Sequence, residues 1–70
     1  MIDTPLRKIR KERNKSLEQV AESVGIHPAN LSRIERGIQS ASKDLAENLS
    51  IYYGQAITEI EILYPERFAA

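Results

Sequence analysis

Pro28, Ala29, Asn30, Ser32, Arg33 and Arg36 all lie in the stretch PANLSRIER. On a helical repeat, Ala29, Ser32, Arg33 and Arg36 share one face with Pro28 at its start, while Leu31 and Ile34 point the other way. That outer face carries small side chains, a hydroxyl and two guanidinium groups. A guanidinium is a planar fork of N–H donors that accepts nothing, so it recognises paired acceptors: carboxylates, phosphates or the acceptor edge of a base. This chemistry is non-covalent. The chain has no cysteine, which excludes a thiolate nucleophile, a thiolate zinc site and a disulfide framework. Its single histidine, His27, has no nucleophile or carboxylate arranged around it by spacing. The expectation is therefore no enzyme, no metal, no cofactor and no small-molecule ligand.

A face of this kind needs elements that hold it outward. Thr4-Pro5 opens a first helix as a hydroxyl N-cap followed by proline at the first helical position. Leu6 and Ile9 form its inner stripe, and Asn14 ends it in a left-handed conformation. Ser16 caps a second helix with Gln19 completing a capping box. Val20, Ala21 and Val24 face inward, and Gly25 stops it. Ile26 anchors the turn, and His27 caps the third helix, the one that bears the outer face, which closes at Gly37. After a loop through Ile38, Gln39, Ser40 and Ala41, Ser42 caps a fourth helix with the stripe Leu45, Ala46, Leu49 and Tyr52 or Tyr53, ending at Gly54.

The segment TEIEILY permits two readings. Ile60, Ile62 and Tyr64 alternate as in a strand. Thr58 and Glu61 form a capping box flanked by Ile57 and Ile62 as a hydrophobic staple, and these two devices in register predict a fifth helix ending before Pro65. The expected fold class is all-α, a compact five-helix bundle, with residues 1–70 as a single domain and the helix–turn–helix motif at about 17–36.

Length and charge bound the rest. A 70-residue chain buries only about 60% of the surface its unfolded form exposes, so self-association would help it. No apolar run approaches the roughly 20 residues a membrane helix needs, and Met1-Ile2-Asp3 is no signal-peptide start. The expectation is a soluble cytoplasmic protein with no membrane partner. The net charge is zero, yet its distribution is uneven. Residues 1–15 hold six basic side chains (Arg7, Lys8, Arg10, Lys11, Arg13, Lys15) against Asp3 and Glu12. From Gly37 onward, Lys43 and Arg67 face five acids: Asp44, Glu47, Glu59, Glu61 and Glu66. A basic front with an acidic rear can orient a molecule on a polyanion; a solvated helix whose charges happen to cluster is the alternative.

Taken together, LRKIR, then LEQVAESVGIHPANLSRIERG, then LAENLSIYYG resemble the Cro/C1-type (XRE-like) helix–turn–helix family, which includes the lambdoid phage repressors and Cro proteins. The resemblance spans about residues 6 to 64, and LSRIERG, placed eleven residues after VA, is its most specific part. It implies a lambda repressor-like five-helix fold whose third helix enters the major groove of double-stranded DNA. By position it implies base contacts from Pro28, Ala29 and Arg33, and secondary base or phosphate contacts from Asn30, Ser32 and Arg36. It implies phosphate contacts from Ser16, Leu17 and the backbone after Gly37 (Ile38, Gln39, Ser40), and a structural ion pair between Arg10 and Glu35. Many members carry glutamine at the positions of Leu17, Pro28 and Ala29, which cannot hydrogen-bond as glutamine does. Base reading here shifts toward Arg33, Asn30, Ser32 and apolar contact between Ala29 or Pro28 and thymine methyls.

Several roles stay open on the residues themselves. Arg33 reads guanine or serves as a surface salt-bridge partner. Asn30 bonds adenine, a phosphate or its own helix start. Arg36 clamps a phosphate, reads a base or stays solvated. His27 is a cap, with phosphate or base contact as the alternative. Tyr52, Tyr53, Tyr64 and Phe68 are core or dimer contact. The function expected is an operator-binding transcriptional regulator of repressor type acting as a homodimer on the nucleoid. An antitoxin or restriction–modification controller built on the same module, and an interaction module that has lost DNA binding, are the alternatives.

Overall fold

Five side chains start the five helices of this protein. In the computed structural model, which describes residues 3–68, Thr4 caps α1 (Pro5–Glu12), Ser16 caps α2 (Leu17–Val24), and His27 caps α3 (Pro28–Glu35). Ser42 caps α4 (Lys43–Tyr52) and Thr58 caps α5 (Glu59–Leu63). Every cap accepts a backbone N–H of its own first turn, so each helix begins where its sequence provides an acceptor. None exceeds ten residues, well below the length at which an isolated helix holds in water. Packing must therefore supply what local propensity does not.

The apolar stripes supply it. Leu6 and Ile9 of α1, Val20 and Ala21 of α2, Leu31 and Ile34 of α3, Ala46 and Leu49 of α4, and Ile62 of α5 form one buried cluster. Val24, Ile26 and Leu17 pack against its edge. Ala21 has no exposed surface; its single methyl permits α2 and α3 to approach closely across the turn. The described residues form a bundle 27 × 22 × 21 Å across with no strand. None of its helices is long and apolar enough to cross a membrane.

The ambiguous tail is helical for the reason the caps suggest. Thr58 and Glu61 satisfy each other's backbone N–H groups, while Ile57 and Ile62 are buried at 2% and 3% exposure. Ile60 and Tyr64 stay exposed, so the alternation never forms a buried face. A short 3-10 turn, Pro65–Arg67, follows, with the Arg67 guanidinium 4.6 Å from the centre of the Tyr64 ring. Ser50 is buried and donates to the Ile57 carbonyl at 2.7 Å, which ties α4 to the entry of α5. Of the aromatic residues, Tyr53 is buried, Tyr52 half-buried, and Tyr64 and Phe68 exposed. The Tyr53 and Tyr52 rings meet edge to face, 4.9 Å apart. Burial, and then the negative charge of Glu35, push the Tyr53 hydroxyl up to about 12, so it stays neutral at any ordinary pH.

The turn between α2 and α3 depends on backbone handedness. Gly25 has φ +76° and its N–H, with that of Ile26, closes the last carbonyls of α2. Nothing lies within 4 Å of where a Cβ would stand. Gly25→Ala therefore meets no clash and costs only the left-handed strain, about 1 kcal/mol. In a domain of this size that lowers the thermal midpoint by about 4–8 °C, readable by circular dichroism.

Candidate nucleic-acid interface

Helix α3 turns Leu31, Ile34 and Glu35 into the molecule, leaving Ala29, Arg33 and Arg36 exposed and Pro28, Asn30 and Ser32 half-buried. The sequence-expected base-contacting residues thus lie on one side of a helix whose other side is core.

The anchor of α3 is ionic as well as apolar. Arg10 Nε donates to both carboxylate oxygens of Glu35, at 2.8 and 3.1 Å. Glu35 is 2% exposed. Burial raises its pKa above the ordinary carboxylate value, outweighing the Arg10 hydrogen bond and the positive charges of Arg10, Arg7 and Lys11, which lower it. The same guanidinium donates through Nη1 to the Lys15 carbonyl at 2.9 Å. One arginine therefore fastens the α1–α2 junction, and with it the start of α2 at Ser16 and Leu17, beside the end of α3. Thr4 adds a second link, its hydroxyl donating to the Glu35 carbonyl.

The two helix starts differ. In α2, the capping box engages the N–H groups of Ser16 and Gln19, while those of Leu17 and Glu18 have no partner among the described residues. The Leu17 side chain packs on the core, so only its backbone is free to meet an anion. In α3, His27 Nδ1 accepts from Ala29 N–H at 3.0 Å, the His27 carbonyl accepts from Asn30 and Leu31, and Pro28 has no N–H to offer. The start of α3 is closed.

Its end is closed too. Gly37, at φ +76°, sends the chain back, and the N–H groups of both Ile38 and Gln39 donate to the Arg33 carbonyl. Of the loop positions expected to bind phosphate through backbone, Ile38 and Gln39 already have their amides engaged. Ser40 is exposed, with no hydrogen bond among the described residues. The Ile38 side chain is 66% exposed and apolar.

Around Arg33 the structure brings together three of the expected residues. Its Nε donates to Gln39 Oε1 at 3.1 Å and its Nη2 to Asn30 Oδ1 at 2.5 Å. Neither partner is a carboxylate, so the surface salt bridge is not what this arginine makes. Arg36 folds back through Nε onto the Ser32 carbonyl at 3.3 Å. Lys8, Lys11, Arg13 and Lys15 are exposed along α1 and its exit, whereas Arg7 lies against Asp3 at 3.2 Å. The family resemblance implies Gln39 through its backbone alone; its side chain joins the cluster as well. Among the described residues no group of three potential metal ligands occurs.

The family model described as helix-turn-helix matches residues 6–60, which take in α1 through the start of α5. Searches of curated proteins and of solved structures returned no match.

Proposed function

The chain belongs to the Cro/C1-type helix–turn–helix family of DNA-binding regulators, and from that premise we propose that it is an operator-binding repressor that reads the major groove with α3. The observation that carries this reading is the exposed face of Ala29, Arg33 and Arg36, backed by a buried Leu31, Ile34 and Glu35. Small side chains at the start of α3 permit close approach to base edges, and Arg33 reaches past them. Phosphate is held by the open N–H groups at the start of α2, by Ser16 and Ser40, and by Arg36 once its guanidinium swings off its own helix. The exposed lysines of α1 add diffuse attraction.

The working unit is a homodimer, because one module of this size reads too few base pairs for useful specificity. The exposed Ile51 of α4, Ile60 of α5 and Tyr64 just after it give apolar surface for such an association. Half-sites lie about one helical turn apart, with the two α3 helices roughly 34 Å from each other.

Selection from a random duplex pool with purified protein tests binding, sequence and half-site spacing together. Affinity for a selected duplex falls by about tenfold or more between 50 and 200 mM salt, since even a few neutralised phosphates release counterions. A flat salt response, or a pool that never departs from random, points to an interaction module instead.

A further inference from the structure

We propose that Gln39, in the loop after α3, is a specificity-determining positioning residue: with Asn30 it grips Arg33 so that the end of the guanidinium fork is held outward and selects guanine over adenine. The inference rests on the reading of α3 as the groove-entering helix and names what that helix reads.

The argument turns on which atoms are engaged. A guanidinium has no acceptor, so the amide atom facing it must be oxygen. Gln39 Oε1 therefore takes Nε–H and Asn30 Oδ1 takes a proton of Nη2. With both amide oxygens turned inward, the NH2 groups of Gln39 and Asn30 and the Nη1 of Arg33 remain without partners among the described residues. Adenine is read by an amide that offers oxygen to N6–H2 and N–H to N7 at once. With their oxygens turned onto Arg33, Asn30 and Gln39 face outward with NH2 and not with the oxygen–nitrogen pair that adenine requires. Guanine offers two acceptors, N7 and O6, which suit the end of the fork at Nη1 and Nη2.

The loop geometry makes the grip possible. The N–H groups of Ile38 and Gln39 both close on the Arg33 carbonyl, which folds residue 39 back over the helix turn that carries Arg33. A loose arginine samples many rotamers, and holding it in one orientation removes that cost at the moment of binding.

Duplex selection is run on the wild-type protein and on Arg33→Ala, Asn30→Ala, Gln39→Met and Gln39→Glu, with thermal midpoints measured alongside. Gln39 is exposed, so all of its variants keep the fold. The base step whose enrichment disappears in Arg33→Ala is the Arg33 step, and the expected base there is guanine. Gln39→Met, which keeps length but has no amide acceptor, lowers the guanine-to-adenine ratio at that step about fivefold, the lower end of what a bidentate pair contributes. Asn30→Ala lowers it at the same step. Gln39→Glu still accepts from Nε and keeps the ratio, while its charge weakens binding to all sequences. An unchanged ratio in Gln39→Met, an equal loss in Gln39→Glu, or an adenine preference erased by Asn30→Ala at another step overturns the proposal while leaving DNA binding intact. Failure of the wild-type protein to enrich any sequence overturns the DNA-binding reading itself, and this inference with it.

Discussion

Arg10→Met unfolds most of the population of this protein at room temperature, whereas Arg10→Met combined with Glu35→Leu restores the fold. Removing one partner of a buried pair strands the other charge and costs about 3–5 kcal/mol, while replacing both with apolar groups of similar volume is close to neutral. A single core of this size supplies only about 3–5 kcal/mol in total, so the single change is comparable to the whole. Glu35 is 2% exposed and its carboxylate takes both Arg10 hydrogen bonds, and the Lys15 carbonyl loses its donor as well. Acid partly rescues the single variant. Burial already holds the folded pKa of Glu35 above its unfolded value, and loss of Arg10 lifts it further. The folded state then binds the proton more tightly, so stability rises as pH falls through the raised folded pKa toward the unfolded one, near 4.5. Urea titrations by circular dichroism at pH 7 and pH 5 read both effects. A single variant as stable as wild type would show that the pair contributes nothing to holding α3.

Arg33→Ala leaves the thermal midpoint unchanged and abolishes base preference at its step, a loss of about 1–3 kcal/mol of discrimination. The side chain is exposed and, among the described residues, hydrogen-bonds to Asn30 and Gln39, themselves on the surface side of α3 and its loop, so the core does not depend on it. Arg36→Ala makes the useful contrast. It weakens binding to all sequences alike and lowers the salt slope by about one. Competition binding against duplexes substituted at each position separates the two. Retained preference in Arg33→Ala would place the reading elsewhere on α3.

The helices were legible because their ends are written in short range. A capping box needs only residues three apart, and Ser16 with Gln19 and Thr58 with Glu61 both close as spacing suggests. Asn14, at φ 55°, turns the chain where its side chain tolerates that conformation. What escaped the sequence joins residues whose proximity only the folded chain decides. Thr4 and Glu35 meet across 31 positions. Gln39 reaches Arg33 only because the chain reverses after Gly37. Periodicity left Tyr52 and Tyr53 undecided, since adjacent residues near a helix end both lie close to the apolar stripe; packing buries Tyr53. Gln55 repeats the left-handed φ of 63° that Gly54 takes just before it, its N–H held by the Ser50 carbonyl at 2.8 Å, and its residue type does not announce that conformation.

The contrast between the openings of α2 and α3 bears on how such a protein could change its target. In the proposed function, amides left open at one helix would grip any duplex equally, whatever its letters. The neighbouring helix, its opening sealed by an imidazole and a proline, offers no free amide there, so its vocabulary resides in side chains that the core does not use. Exchanging those few groups would rewrite the preferred site without loosening the hold on the backbone or disturbing the scaffold.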